Sequence, residues 1–176
     1  MAVPQADIDA RLDLRDWPIF TIDSADAKDL DDAVSARKTA EGYTLGVHIA
    51  DVSHYVKAGT PMDLEAFRRG TSVYFADRVI PMLPEALSNG VCSLNAGTEK
   101  LTFSALMDFD QEGNMIDYRF EKTVINSQVR GVYSEVNAIL AGTASKELLD
   151  KYAPVMESLQ TAKELADILA ANGKAR

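Results

Sequence analysis

The chain has 176 residues, of which 47% are apolar and 26% charged, which is enough for one domain with its own core and excludes a disordered or fibrous protein. No apolar run approaches the ~20 residues that cross a bilayer, the first twenty residues carry Asp7, Asp9, Asp13 and Asp16 where a signal peptide would be basic and then apolar, and the single Cys92 cannot form an internal disulfide, so a soluble, cytoplasmic protein with no membrane partner is expected. The net charge of −9 argues against a broad phosphate-binding surface, but through residue 32 nine Asp face only Arg11, Arg15 and Lys28, so the acidity is concentrated, as a divalent cation would require.

Residues 1–16 show little apolar periodicity and read as a lead-in segment. From Trp17 the pattern changes, and Ile19 to Ile22 is a β-type run ending at Asp23. Ala33–Ala36 and Tyr43–Ala50 predict a hairpin around Glu41-Gly42, with Tyr43, Leu45, Val47 and Ile49 on one face; the second strand also ends at an aspartate, Asp51. Thr60-Pro61-Met62-Asp63 is a helix start, with Thr as cap, Pro at the first position and a carboxylate in the first turn, and Gly70 closes that helix. A strand over Thr71–Phe75 follows, then an ordered loop at Ile80-Pro81-Met82-Leu83-Pro84, where two prolines remove donors, and a short helix ending near Asn89-Gly90. The clearest hairpin runs over Leu101–Phe109 and Met115–Val124 around Gln111-Glu112-Gly113-Asn114. It alternates Leu101, Phe103, Ala105 and Met107 against Ile116, Tyr118 and Phe120. After Gly131 the period becomes helical through Val132–Leu140, Ser145–Tyr152 and a long amphipathic helix from Pro154, whose apolar face is expected to seek a partner outside the chain. These elements give an α+β fold with a mixed, largely antiparallel sheet and flanking helices: a lead-in over 1–16, a sheet-rich part over 17–131 and a helical extension over 132–176.

The segment Thr21-Ile22-Asp23-Ser24-Ala25-Asp26-Ala27-Lys28-Asp29-Leu30-Asp31-Asp32-Ala33-Val34 places five carboxylates in ten residues at a strand-to-strand turn. Two unit charges about 4 Å apart repel by about 4 kcal/mol at an effective dielectric near 20, so such a loop either keeps protons or binds cations. Hard oxygen ligands suit Mg²⁺ or Mn²⁺ rather than zinc. A solvated acidic turn with its side chains splayed apart remains the alternative. An EF-hand fails, because no register starting at Asp23, Asp26 or Asp29 supplies the required acidic positions together with glycine at the sixth.

This string resembles the signature of the RNB catalytic domain of the ribonuclease II and ribonuclease R family. The resemblance continues in family order through Val47-His48-Ile49-Ala50-Asp51-Val52-Ser53-His54-Tyr55-Val56, Arg69-Gly70-Thr71-Ser72-Val73-Tyr74, Ile80-Pro81-Met82-Leu83-Pro84-Glu85 and Leu87-Ser88-Asn89-Gly90-Val91-Cys92-Ser93-Leu94-Asn95, with ribonuclease R the closer member. It implies a 3′-to-5′ hydrolytic exoribonuclease that is Mg²⁺-dependent, with Mn²⁺ as an alternative, and that releases nucleoside 5′-monophosphates from the 3′ end of single-stranded RNA. The family's four acidic positions fall on Asp23, Asp29, Asp31 and Asp32. The resemblance makes all four both catalytic and metal-binding: Asp23 and Asp32 as direct ligands, Asp31 beside the second metal or the attacking water, and Asp29 completing the shell. Asp26 is expected to fix the loop. Tyr74 matches the aromatic that stacks on a base near the RNA 3′ end, a sequence-tolerant contact. His48, His54 and Cys92 are expected to be structural, and Arg68, Arg69 and Arg78 are weighed against solvated surface arginines as phosphate contacts.

The resemblance covers the N-terminal half of an RNB domain. It implies that the second half, with its arginine, and the cold-shock and S1-type modules of the full-length enzyme belong to other segments, and that this chain alone is weakly active or inactive. Two other readings stay open at this point: a non-catalytic RNA- or partner-binding RNB-like domain, and a metal-binding structural domain unrelated to RNA. The second would be favoured if Tyr74 lay far from the aspartates.

Overall fold

A computed structural model describes residues 3–174 and has an α+β architecture built on one seven-stranded sheet. The lead-in expectation for residues 1–2 and the helical one for residues 175–176 lie outside the described residues. The strands are β1 (Leu12–Asp13), β2 (Phe20–Asp23), β3 (Asp32–Lys38), β4 (Gly42–Ala50), β7 (Glu99–Asp110), β8 (Met115–Asn126) and β9 (Val129–Val132), in spatial order β1-β8-β7-β4-β3-β2-β9. Their pairings are antiparallel except at the two ends, where β1 runs parallel to β8 and β9 parallel to β2. Two further short strands, β5 (Val73–Tyr74) and β6 (Val79–Ile80), form a separate hairpin.

Local signals account for much of this. Both expected hairpins form, β3 with β4 and β7 with β8. After the short helix α2 (Val52–Tyr55), helix α3 (Pro61–Arg69) is capped by Thr60, whose side chain accepts from the Asp63 N–H, and ends at Gly70 with φ 73, a left-handed conformation that suits a residue without Cβ. The segment after Pro84 winds one wide turn, Ala86–Val91, with a Cys92 N–H to Leu87 carbonyl bond.

Both faces of the sheet carry packed residues, one face along the core and the other over β2, β3 and β9. On one side Leu14, Ile19, Leu30, Ala33, Ala50, Leu94, Leu106 and Ile125 form a continuous core. On the other, helices α4 (Tyr133–Leu140), α5 (Lys146–Tyr152) and α6 (Met156–Lys174) cover β2, β3 and β9. The long helix finds its partner within the chain rather than outside it: Leu159, with Val155 of the turn before the helix, packs with Phe20 and Val129, and Leu165 packs with Tyr43 and Phe109. The surface left uncovered lies on the β7–β8 hairpin. Phe103, Ile116, Tyr118 and Phe120, from the alternating positions of that hairpin, are all exposed, with Phe103 and Phe120 stacked at 5.9 Å between ring centroids.

The expected lead-in is part of the fold. Helix α1 (Gln5–Asp9) sends buried Ile8 against Leu101 and Val124, and β1 joins the sheet. Arg11 then enters the protein to meet Asp51 at 2.6 Å with both side chains almost fully buried, and its guanidinium also donates to the carbonyl of Thr102. Two short elements separated by a turn carry too little periodicity to be seen in a sequence window, which is why this segment reads as unstructured.

Candidate active site

Strands β2 and β3 position the acidic cluster. β2 delivers Asp23 at its end and β3 begins with Asp32, which pairs with Ile49 of β4. The two strands run antiparallel with Phe20 opposite Val34, and the loop between them carries Asp26, Asp29 and Asp31. Leu30 orients this loop. Its side chain is 1% exposed within the core, so its neighbours Asp29 and Asp31 are directed away from that core. The backbone is pinned on both sides of Leu30: its N–H donates to Ser93 Oγ at 3.1 Å, the Ser93 hydroxyl donates to the Lys28 carbonyl at 2.9 Å, the Leu94 N–H to the Leu30 carbonyl at 2.9 Å, and the Ala50 N–H to the Asp31 carbonyl at 3.0 Å.

The four carboxylates converge closely enough to repel one another. Burial raises Asp23 above the ordinary carboxylate range, the charge of Asp32 adds to this, Arg130 opposes it, and Asp29 adds a little more. Asp31 is solvent-exposed by surface area, yet the protein packed behind it desolvates the carboxylate and raises it, with further upward pushes from Asp29, Asp32 and Asp23. A set of hard, mutually repelling oxygens is the donor chemistry that Mg²⁺ or Mn²⁺ fits. Among the described residues no three His, Cys, Asp or Glu side chains are gathered tightly enough to ligate an ion as they stand, so a bound cation would have to draw them together. Asp51, at the end of the neighbouring strand, belongs to a different network. Burial pushes its carboxyl up, but hydrogen bonds from Arg11 and Ser53 outweigh that and leave it low.

Tyr74 lies against the cluster. Its hydroxyl donates to Asp29 Oδ2 at 2.8 Å, a bond that raises the phenol above its usual range, while 64% of the residue stays exposed. Residues of the β5–β6 hairpin and of the loop from Asp26 to Asp29 line a groove of about 550 Å³, with Ser88 and Asn89 contributing; Asp23, Asp31 and Asp32 lie outside its lining. Lys28 and Arg78 line the same groove, and Arg78 sits over the Phe75 ring at 5.5 Å. The structure therefore brings Asp29, Tyr74 and Arg78 together. It leaves Arg69 paired to Glu65 and bonded to the Pro81 carbonyl, away from the aspartates.

Both histidines are tied up elsewhere. His48 is fully buried between Ser35 Oγ at 3.0 Å and Ser104 Oγ at 2.8 Å, and burial lowers its pKa to about 4, so it is neutral at physiological pH. His54 lies 3.4 Å from both Arg11 and Asp7. Cys92 is buried and its thiol is pushed up by burial, the opposite of an activated nucleophile. Sequence reasoning missed two residues that hold the loop. One is Ser93. The other is Arg130, whose Nη2 donates to the carbonyls of Ala25 and Ala27. Nothing in the local sequence Asn126-Ser127-Gln128-Val129-Arg130-Gly131 singles Arg130 out.

A family model described as "RNB domain" matches residues 11–176. Ribonuclease R 1 of Lactococcus lactis is 50% identical over 175 residues, covering 99% of this chain and 21% of the relative. Ribonuclease R of Thermotoga maritima is 51% identical over 168 residues, covering 95% and 23%. The structure of Mycoplasma genitalium RNase R in complex with double-stranded RNA superposes with a TM-score of 0.92 at 32% identity, covering 98% of this chain and 30% of that one. The chain thus spans about a fifth of the length of the curated relatives it matches. Among the described residues no helix is long and apolar enough to cross a membrane.

Proposed function

Because this chain belongs to the RNB-domain family of ribonucleases, we propose that it supplies the acidic half of the active site of a cytoplasmic 3′-to-5′ exoribonuclease, one that hydrolyses single-stranded RNA from its 3′ end and releases nucleoside 5′-monophosphates. The observation that carries the proposal is the Tyr74 hydroxyl on Asp29, which joins an exposed aromatic ring in the groove to one member of the acidic cluster. A metal-binding domain unrelated to nucleic acid gives no reason for that juxtaposition. An exonuclease does, since a base stacked on the ring leaves the adjoining phosphodiester beside the carboxylates.

Asp23, Asp29, Asp31 and Asp32 would hold Mg²⁺, with Mn²⁺ as a substitute; when bound, such cations neutralise phosphate charge and lower the pKa of water at the site. The chain's own residues do the positioning. Tyr74 supports the terminal base, and its bond to Asp29 couples the base-binding wall to the acidic loop. Lys28 and Arg78 offer positive charge along the groove to the RNA backbone. Leu30 and Ser93 keep Asp29 and Asp31 directed at the substrate. Histidine takes no part, because His48 is buried and neutral. The remaining part of the RNB domain and the cold-shock and S1-type modules of a full-length enzyme would contribute most of the RNA channel and a further arginine, so this chain by itself should be slow.

The test is 5′-labelled single-stranded RNA incubated with this chain in Mg²⁺ or Mn²⁺, with Asp31→Asn alongside, and RNA affinity measured with free and blocked 3′ ends. Slow shortening from the 3′ end that disappears in the variant, with RNA binding kept, is the expected result. Internal cutting, an equal ladder from the variant, or binding indifferent to the 3′ end would refute the proposal.

A further inference from the structure

We infer that Arg130 is a positioning residue for the acidic loop, bracketing the backbone that separates Asp23 from Asp29. The inference rests on the cation-site reading above. Arg130 lies on β9 directly opposite Thr21 of β2, two residues before Asp23 on that strand. Its guanidinium reaches into the loop, where Nη2 donates to the carbonyl of Ala25 at 2.8 Å and to that of Ala27 at 2.7 Å. Those bonds join segments 105 and 103 residues apart in sequence. They act where the loop is otherwise held only loosely: Ser93 and Leu94 fasten Lys28 and Leu30, while the preceding turn has a 3.2 Å bond from the Ala27 N–H to the Ser24 carbonyl.

β9 can come this close because of Gly131. A Cβ there would sit 2.3 Å from the Thr21 carbonyl oxygen, so the glycine lets β9 lie against β2 at the point where Arg130 must reach across.

The choice of acceptor bears on function. Arg130 faces the charges of Asp23 and of Glu135, yet among the described residues it forms no ion pair within 4.0 Å with either. An arginine clamped onto Asp23 would compete with a cation for the carboxylate. An arginine bonded to backbone carbonyls fixes the carboxylates' geometry, tempers their mutual repulsion and leaves their oxygens available. Groups in this position, which orient ligands without touching the ion, typically govern metal affinity by about 10–100-fold.

The test compares the wild-type chain with Arg130→Met, which keeps bulk and loses the donors, and Arg130→Lys, whose ammonium can donate to both carbonyls. Mn²⁺ affinity is read by titration calorimetry, and amide hydrogen exchange of Ser24 to Lys28 is followed without metal. Arg130→Met should weaken Mn²⁺ binding about 10–100-fold and speed exchange in that loop with the rest of the sheet unchanged, and Arg130→Lys should recover most of both. Wild-type Mn²⁺ affinity in the Met variant, unchanged loop exchange, or protection lost evenly across the sheet would overturn the inference. A wild-type chain that binds no Mn²⁺ would instead overturn the cation reading of the aspartates, and loop exchange in the Met variant would then decide the role of Arg130 by itself.

Discussion

Replacing Arg11 with methionine should destabilise the protein far more than a change in an N-terminal lead-in could. The Arg11 and Asp51 side chains are 4% and 3% exposed and meet at 2.6 Å. Removing the cation leaves a buried carboxylate with Ser53 and, at 3.6 Å, the more exposed Lys122. Breaking such a pair from one side commonly costs about 3–5 kcal/mol, and Lys122 can swing inward to offset part of that, so ~2–4 kcal/mol is expected. At roughly 2–4 °C per kcal/mol for a domain of this size, the melting temperature should drop by about 5–15 °C. The loss also has a pH signature. Although burial alone would raise Asp51, the hydrogen bonds from Arg11 and Ser53 bring it below its ordinary value, so its stabilising effect is full above the unfolded carboxylate pKa and disappears as pH falls through the lower folded value. In the Met variant the unpaired carboxylate takes up a proton at higher pH, so the gap between the two proteins should be widest near pH 7 and close towards pH 3. Thermal unfolding by circular dichroism from pH 7 to pH 3 measures this. A gap below about 1 kcal/mol at pH 7, or one that does not change with pH, would refute the claim that residues 5–14 are clamped into the core through this pair.

Tyr74→Ala should lose about 1–3 kcal/mol of RNA binding and lengthen the shortest product, whereas Tyr74→Phe should keep the stack and lose only the bond to Asp29; identical product ladders for all three proteins would return Tyr74 to a packing role. His48, lowered by burial from 6.5 to about 4, is stabilising while neutral, so between about pH 6.5 and 4 the fold should lose about 3 kcal/mol as the unfolded chain takes up the proton first; denaturant titrations across that window should show the slope, and His48→Asn should flatten it. Leu30→Ala should cost about 2–5 kcal/mol through a cavity beneath the acidic loop and should weaken Mn²⁺ binding in the same calorimetric titration; an unchanged affinity would show that the loop is held without it. β1 covers β8 only at Thr123 and Val124, which leaves the outer edge of the hairpin open beside exposed Tyr118 and Phe120, so the chain should associate with rising concentration in sedimentation velocity and Phe120→Lys should reduce this; a wild-type chain that stays monomeric, or equal behaviour of the two proteins, would refute it.

What the sequence by itself determined is local. Asp23 closes an apolar run and Asp32 opens another, so the cluster had to sit at a strand-to-strand turn. Thr60, Pro61 and Gly70 delimit α3, and the turn at Gln111–Asn114 delimits the long hairpin, because caps and turns are chemistry among neighbours within a few residues. The crowding was legible for the same reason, since five carboxylates in ten residues carry their electrostatic cost wherever the chain goes, whereas the choice of Asp23, Asp29, Asp31 and Asp32 among them rested on the family resemblance. Only the tertiary structure decided which distant segments meet. It folded the end of the chain back, so that α6 packs on Phe20, Tyr43 and Phe109 instead of presenting its apolar face outward. It sent Arg11 to Asp51 and Arg130 to the loop carbonyls, and it brought the Tyr74 hydroxyl across to Asp29. None of these pairings has a period or a turn signature. Each depends on the order of strands in the sheet and on which of its two faces remains to be covered, and an alternating pattern along one strand carries no information about what will cover either face.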